Sequence, residues 1–201
     1  MVISKNKNQA KVDGCIVDSR MEGREVLLVA QTEASARYRD AIVDYVDAKN
    51  AILVSINQPK IVPDLPYDYV VMSHNEKFRE DQDQYLEKKF RYIAPKELFS
   101  NTDTDIDIAY DYGCVITPGK FASFDSYASI PYNLTMAYMV SFCLAARVGS
   151  LSLVGFTGYG IDSRKQKEMQ EFLLLLGDVK LPIKSLTPTS FTIPESSIYA
   201  L

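Results

Sequence analysis

Short, continuous apolar runs recur along the chain and indicate strands that are covered on both faces. The clearest are residues 25–30 (EVLLVA), 51–56 (AILVSI), 69–72 (YVVM) and 151–156 (LSLVGF). Shorter strands are predicted at 91–94, 114–117 and 184–186. A Pro-rich loop at 58–66 fits neither a strand nor a helix and separates the second run from the third.

Segments with a helical apolar period lie between these runs and predict helices over residues 36–48, 76–90, 132–148 and 163–176. The third is apolar nearly all round, which predicts an interior helix. It is also too short to span a bilayer. Strands and helices that alternate at this spacing imply right-handed βαβ crossovers. We therefore expect an α/β, Rossmann-like three-layer fold with a mostly parallel central sheet and an extended C-terminal arm.

The two ends of the chain differ from the middle. Residues 1–22 are polar and weakly patterned, which indicates a leader or linker before a single domain over 23–201. In the closing segment, 185–201, hydroxyl residues interleave with Phe191, Ile193, Ile198 and Tyr199. That composition favours an ordered arm packed on the domain. An arm that reaches another subunit, making a homo-oligomer, is the alternative.

Composition excludes several classes of function. The 201 residues carry a net charge of −4, without the basic stripe of a nucleic-acid binder. The cysteines Cys15, Cys114 and Cys143 are far apart and form no metal-binding cluster, which favours reduced thiols in a cytoplasmic protein. The Asp-rich stretch at 101–112 lacks the glycine and terminal glutamate of a calcium loop and favours a solvated acidic loop, with a strand edge at Ile106 and Ile108. The sequence predicts neither a metal site nor a cofactor.

In a parallel sheet of this kind, ligands bind beyond the carboxyl ends of the strands, at the point where strand order reverses. The first such loop contains Gln31, Thr32 and Ser35, which are candidate ligand contacts. The loop has no glycine, and the charge of Glu33 opposes a phosphate. The alternative role for Thr32 or Ser35 is to cap the following helix.

The next loops add further candidates. Asn57 follows the second strand, and Ser73, His74 and Asn75 follow the third. His74 is the only histidine and is a candidate general base, with Ser73 and Asn75 as ligand contacts. The alternative for His74 is a hydrogen-bonded structural residue.

A glycine-rich turn follows the 151–156 strand. Gly155, Thr157, Gly158 and Tyr159 are candidate ligand contacts there, because glycine lets the backbone approach a ligand and the tyrosine can stack on a base or sugar ring. The alternative is a tight turn with a packed tyrosine.

The residues from 23 to 201 resemble a known group of domains. The resemblance rests on residues 24–30 (REVLLVA), 36–42 (ARYRDAI), 50–57 (NAILVSIN), 68–73 (DYVVMS), 155–159 (GFTGY), 167–170 (KEMQ), 186–189 (LTPT) and 196–199 (SSIY). They look like the Rossmann-like C-terminal domain of HMG-CoA-lyase-type (pyruvate-carboxyltransferase-like) aldolases of bacterial surface-polysaccharide loci. The layout is more distantly similar to bacterial sialyltransferases and motility-accessory-factor glycosyltransferases.

The resemblance implies one function and leaves another open. It implies a nucleotide-sugar-binding, glycosyltransferase-like domain in cell-surface polysaccharide biosynthesis, with a nucleotide or nucleotide sugar as partner and His74 as the base. The group's Gly-Pro-Gly-Pro-Ser-like first loop retains only Ser35 here, and Thr157 replaces an aspartate of its Gly-Phe-Asp-Gly-Tyr turn. These two departures favour the alternative, a non-catalytic accessory domain that has lost the nucleotide site and is associated with an aldolase-like partner.

Overall fold

The computed structural model describes residues 20–74, 90–99, 106–160, 163–177 and 179–201, and the backbone of 9–12 and 15–18. Four α-helices lie in these residues: α1 Glu33–Arg37, α2 Arg39–Lys49, α3 Thr135–Ala145 and α4 Arg164–Leu175. The strands are β1 Gln9–Val12, β2 Cys15–Asp18, β3 Glu25–Val29, β4 Ile52–Ile56, β5 Tyr69–Val71, β6 Tyr92–Ala94, β7 Ile108–Asp111, β8 Gly113–Ile116, β9 Ala122–Ser123, β10 Tyr127–Ile130, β11 Ser150–Val154 and β12 Ile183–Ser185. The predicted helix at 76–90 lies almost wholly outside the described residues.

Seven strands form one central sheet in the order β12-β11-β3-β4-β5-β6-β7. Every neighbouring pair in it is parallel. Strands β4 to β7 follow one another on one side of β3. The chain then returns to the other side of β3, where it forms β11 and β12. The predicted α/β, Rossmann-like fold is confirmed, and its strand order reverses between β3 and β11.

Side chains of the central strands alternate between the two faces of the sheet, each of which carries apolar core residues, as the two-residue period of a strand requires. In β3, Val26 and Leu28 face the core that α3 and α4 cover. Leu27 and Val29 face the opposite core, which contains Ile42 of α2. Helix α3 is buried over almost its whole length, as its uniformly apolar sequence predicts. These two cores give the three layers.

The helix predicted over 36–48 is wrong as a single element. The chain is helical from Glu33 to Arg37, turns at Tyr38, whose backbone has non-helical angles (φ −103°, ψ 12°), and is helical again from Arg39. The N–H of Tyr38 bonds to the carbonyl of Ser35, the three-residue spacing of a tightened turn. The apolar period alone does not register this turn, because Ile42 and Tyr45 still reach the core.

Two smaller sheets stand apart from the main one. Strand β10 pairs with β8 in parallel and with β9 antiparallel, so the strand predicted at 114–117 lies in this small sheet. Strands β1 and β2 form an antiparallel hairpin inside the segment predicted as a leader or linker. Within that same segment, Met21 is fully buried. Part of the predicted acidic loop, Ile108–Asp111, is the edge strand β7.

The C-terminal arm runs along the outer edge of β12. Ser185 exchanges backbone hydrogen bonds with Pro194 and Ser196, and the N–H of Ile198 bonds to Leu186. Ile198 is 1% exposed. The arm therefore packs on its own domain and covers an edge that would otherwise present unpaired backbone groups. Among the described helices, none combines the length and the apolar character that a bilayer crossing requires.

Candidate functional site

A cleft of about 1140 Å³ opens at the carboxyl ends of β3 and β11, where the strand order reverses. The loops that follow β3, β4, β5 and β11 reach it, as do the end of β8, the chain that enters α3, the start of α4 and one residue of the C-terminal arm. The predicted site residues that line it are Gln31, Thr32, Asn57, His74, Gly155, Thr157, Gly158 and Tyr159. Ser35 and Ser73 are buried beside the cleft without lining it. Asn75 lies outside the described residues.

Gln31 fixes the Pro-rich loop to the sheet. Its Nε2 donates to Ser55 Oγ at 2.9 Å and to Tyr67 OH at 3.1 Å. Its Oε1 accepts from the N–H of Ile61 at 3.1 Å and of Val62 at 3.4 Å. Both ends of the amide are therefore used within the protein, which makes Gln31 a structural link whose remaining contact with a ligand would be the aliphatic stem.

Thr32 and Ser35 join the first loop to the glycine-rich turn. Thr32 Oγ1 donates to the carbonyl of Gly155 at 3.1 Å and accepts from the N–H of Ser35, so it caps α1. Ser35 Oγ donates to the carbonyl of Ala30 at 2.5 Å. Glu33 is exposed on α1 and does not line the cleft. The hydroxyl groups of Thr32 and Ser35 are thus directed at the protein rather than at a phosphate.

His74 bridges β5 to the start of α3. Its Nε2 lies 2.6 Å from the carbonyl oxygen of Asn133, and its Nδ1 lies 2.5 Å from Ser73 Oγ. A carbonyl can only accept, so Nε2 carries the hydrogen in this bond. The geometry orients the ring firmly. For His74 to take a proton from a substrate, one of these bonds must first be given up.

Asn57 and Thr135 complete a polar floor beside His74. Asn57 adopts the left-handed backbone region (φ 61°), which asparagine tolerates better than most residues. Thr135 Oγ1 lies 3.4 Å from Asn57 Oδ1 and 3.1 Å from Ser73 Oγ. With Oδ1 facing Thr135, the Nδ2 of Asn57 is the donor that this residue can offer to a ligand in the cleft.

The glycine-rich turn uses its carbonyl groups on the protein. The carbonyl of Gly155 accepts from Thr32, that of Phe156 accepts from Thr189 Oγ1 at 2.6 Å, and that of Thr157 accepts from the N–H of Ser190 at 3.2 Å. In contrast, the N–H groups of Phe156, Thr157 and Gly158 have no acceptor among the residues that the structure describes. The turn therefore presents three consecutive backbone donors.

Positive charge predominates around the cleft. Lys60 lines it on the β4 side, and Arg164 and Lys165 line it at the start of α4. One carboxylate, Glu168, also lines it and accepts from Arg164 Nε at 2.6 Å. Among the described residues that line the cleft, three are cations and one is an anion, and this excess in a partly enclosed cleft favours a negatively charged ligand.

Apolar and aromatic side chains form the remaining wall. Phe156 and Phe191 are each 7% exposed, whereas Tyr159 is 44% exposed and packs edge-on against Phe191 with ring centroids 6.2 Å apart. Tyr132 donates its hydroxyl to Glu171 of α4, and this carboxylate raises the pKa of the phenol. The rings supply the flat surfaces on which a base or sugar packs.

Sequence reasoning missed the cationic residues of the cleft. Lys60 lies in a Pro-rich loop and Arg164 and Lys165 open a surface helix, so nothing in their local pattern distinguishes them from ordinary solvated charges. The usable signal was positional, since both segments follow strands that end at the same edge of the sheet. For Phe191, the sequence predicts a place in the C-terminal arm but not its contact with the cleft.

Among residues that the structure describes, no group of three or more histidine, cysteine, aspartate or glutamate side chains could hold a metal ion. No family model matches the chain, and neither the curated proteins nor the solved structures contain a match to it.

Proposed function

We propose that this cleft binds a nucleotide or nucleotide sugar, and that the protein is a glycosyltransferase-like domain of bacterial cell-surface polysaccharide biosynthesis. The observation that carries the proposal is the placement of three cationic side chains and three unused backbone N–H groups on a cleft at the strand-order reversal. The sequence resemblance to the polysaccharide-locus domains supplies the sugar part of the proposal.

The phosphate groups of such a ligand match the backbone donors and cations of the cleft, and its base or sugar matches the aromatic wall. A phosphate accepts hydrogen bonds from backbone N–H groups and attracts Lys60, Arg164 and Lys165. A base or sugar ring packs on the aromatic wall, with Tyr159 as its exposed member. Asn57 Nδ2 is placed to donate to a hydroxyl or carbonyl of the ligand.

The second candidate is a non-catalytic accessory domain. The first loop favours it, because Gln31, Thr32 and Ser35 direct their polar atoms inward. The occupied ring nitrogens of His74 favour it too. These observations weaken the case for group transfer at His74, but they do not involve the N–H groups of the glycine-rich turn or the cations Lys60, Arg164 and Lys165.

A thermal-shift screen against nucleotides and nucleotide sugars tests the proposal. A ligand at tenfold its dissociation constant stabilises the fold by about 1.4 kcal/mol, which raises Tm by roughly 3–5 °C in a chain of this size. Lys165→Ala should reduce the shift by roughly a quarter to a half, whereas Lys167→Ala should preserve it. Lys167 is exposed on the same helix but does not line the cleft. Lys167→Ala therefore removes the same charge as Lys165→Ala without altering the cleft. No shift with any of these compounds would favour the accessory domain.

A further inference from the structure

We propose that residues 187–191 of the C-terminal arm position the glycine-rich turn for ligand binding, and that Phe191 contacts the ligand directly. The identity of the ligand rests on the proposed function. The positioning of the turn by the arm does not depend on it. It assigns to the arm a role in the site that is separate from the covering of β12.

Three hydrogen bonds connect this segment to successive residues of the turn. Thr187 Oγ1 accepts from the N–H of Gly155 at 3.0 Å. Thr189 Oγ1 donates to the carbonyl of Phe156 at 2.6 Å, and the N–H of Ser190 donates to the carbonyl of Thr157 at 3.2 Å. Each peptide plane in the turn therefore has one side fixed by the arm or by Thr32.

Because the peptide bond is planar, these hydrogen bonds also fix the direction of the N–H groups that can face a ligand. In a trans peptide the carbonyl of one residue and the N–H of the next point in opposite directions. Because the carbonyls of Phe156 and Thr157 point at the arm, the N–H groups of Thr157 and Gly158 point away from it. Thr157 and Gly158 both line the cleft. The arm thereby determines that this stretch offers donors rather than acceptors.

Side-chain packing also fixes the position of the arm relative to the turn. A Cβ atom at Gly158 would lie 1.8 Å from Ser190 Oγ, so the arm occupies the space that a side chain would need. Gln166 of α4 donates from Nε2 to Ser190 Oγ at 3.2 Å and accepts from the N–H of Tyr159 at 2.8 Å. The turn, the arm and α4 are therefore locked to one another.

Phe191 is the arm residue that reaches the cleft. Its ring is 7% exposed, lines the cleft and meets Tyr159 edge-on. Before Phe191, the arm is attached to the turn by the hydrogen bond from Thr189 to Phe156. Beyond Phe191, it is anchored by Ile198 in the core that faces α2, so Phe191 lies between two attached segments. A ring held in this way is a rigid apolar contact for a base or sugar.

Thr189→Val tests the positioning role, because it keeps the shape of the side chain and removes its donor. With uridine diphosphate as the probe, we expect affinity to fall at least fivefold in Thr189→Val and to recover in Thr189→Ser, which restores a hydroxyl. Thr189→Val also removes the acceptor of the Phe191 N–H, so both variants are first checked for a cooperative urea transition, which shows that they remain folded. Unchanged affinity in Thr189→Val, when the unmodified protein binds the probe, overturns the positioning role and leaves the proposed function standing.

A second readout needs no ligand. Amide hydrogen exchange at Gly155 reports on its bond to Thr187, and we expect it to quicken at least tenfold in Thr189→Val while the amides of β4 keep their rates. If the unmodified protein binds no uridine diphosphate, the proposed function fails and this exchange rate decides the positioning role by itself. Unchanged exchange at Gly155 would contradict it.

Phe191→Leu tests the direct contact with a side chain that retains apolar bulk. We expect affinity for uridine diphosphate glucose to fall at least threefold, with exchange at Gly155 unaltered. Retained affinity would remove Phe191 from the list of ligand contacts.

Discussion

Gly155 and Ser35 lie so close across the strand-order reversal that no side chain fits at position 155. A Cβ atom there would be 1.9 Å from Ser35 Oγ and 2.9 Å from Thr32 Oγ1. Gly155 also has a φ of 78°, a region that residues with a side chain rarely adopt. The first loop and the glycine-rich turn are therefore fitted to each other, and the cleft depends on that fit.

Gly155→Ala should lower the free energy of unfolding by about 2–6 kcal/mol, since backbone strain and overpacking contribute roughly 1–3 kcal/mol each. Urea denaturation measures the loss. Gly119→Ala is the matched control, because Gly119 has a φ of 70° and open space around it, so it reports the strain alone. Equal losses in the two variants would show that the contact with Ser35 costs nothing.

Gln31→Ala should destabilise the protein by about 1–3 kcal/mol, because it leaves the buried Ser55 and the half-buried Tyr67 without a donor and releases the N–H of Ile61. The measurement is again the free energy of unfolding. Gln170→Ala removes one exposed hydrogen bond to Ser190 and serves as the control, with an expected loss under about 1 kcal/mol. A neutral Gln31→Ala would mean that the Pro-rich loop is held by its apolar contacts.

His74→Ala should leave affinity for uridine diphosphate within twofold and lower the free energy of unfolding by about 1–3 kcal/mol, because the ring bridges Ser73 and the carbonyl of Asn133. Any transfer of sugar should disappear with it if His74 is the base. His74→Gln retains a donor for Asn133 and should recover part of the stability. Persistent transfer in His74→Ala would rule out the base while keeping the binding site.

The thiol of Cys114 should be unreactive at neutral pH. Burial raises its pKa to about 11, so the nucleophilic thiolate is scarce in the folded protein. The folded-state pKa exceeds the ordinary value, so the associated stability is complete below about pH 9 and declines as pH rises toward 11. We expect mass-spectrometric mapping to show little alkylation of Cys114 by iodoacetamide at pH 7.5 in the native state and full alkylation in urea. Rapid native labelling would contradict the raised pKa of this half-buried thiol.

The sheet could be predicted from the sequence because its strands are apolar on both faces. The runs at 25–30, 51–56 and 151–156 contain β3, β4 and most of β11, and their parallel pairing follows from the helices between them. Strand β10 escaped prediction, since Tyr127–Ile130 is short and its burial alternates with exposed positions. The turn at Tyr38 escaped because a one-residue break does not disturb an apolar period.

The position of the cleft was predictable from the sequence, but the arrangement of its polar atoms was not. Topology alone indicated that the loops after β3, β4, β5 and β11 share one edge of the sheet. Which polar atoms stay available depends on hydrogen bonds between distant residues, such as Thr32 with Gly155 or Thr189 with Phe156. No sequence pattern encodes those pairings.

The central claim, an anion-binding cleft between the glycine-rich turn and α4, is tested most directly by a ¹H–¹⁵N titration with uridine diphosphate. We expect saturable shifts at the amides of Thr157, Gly158 and Lys165, with a dissociation constant near 1 mM (about −4 kcal/mol), because the side-chain donors of Gln31, Thr32 and Ser35 are used within the protein. Lys165→Ala should weaken binding by roughly two- to fivefold, as one exposed charge contributes about 0.5–1 kcal/mol, and Lys167→Ala should not. Absent shifts, or shifts that scatter over the surface without saturating, would contradict the account.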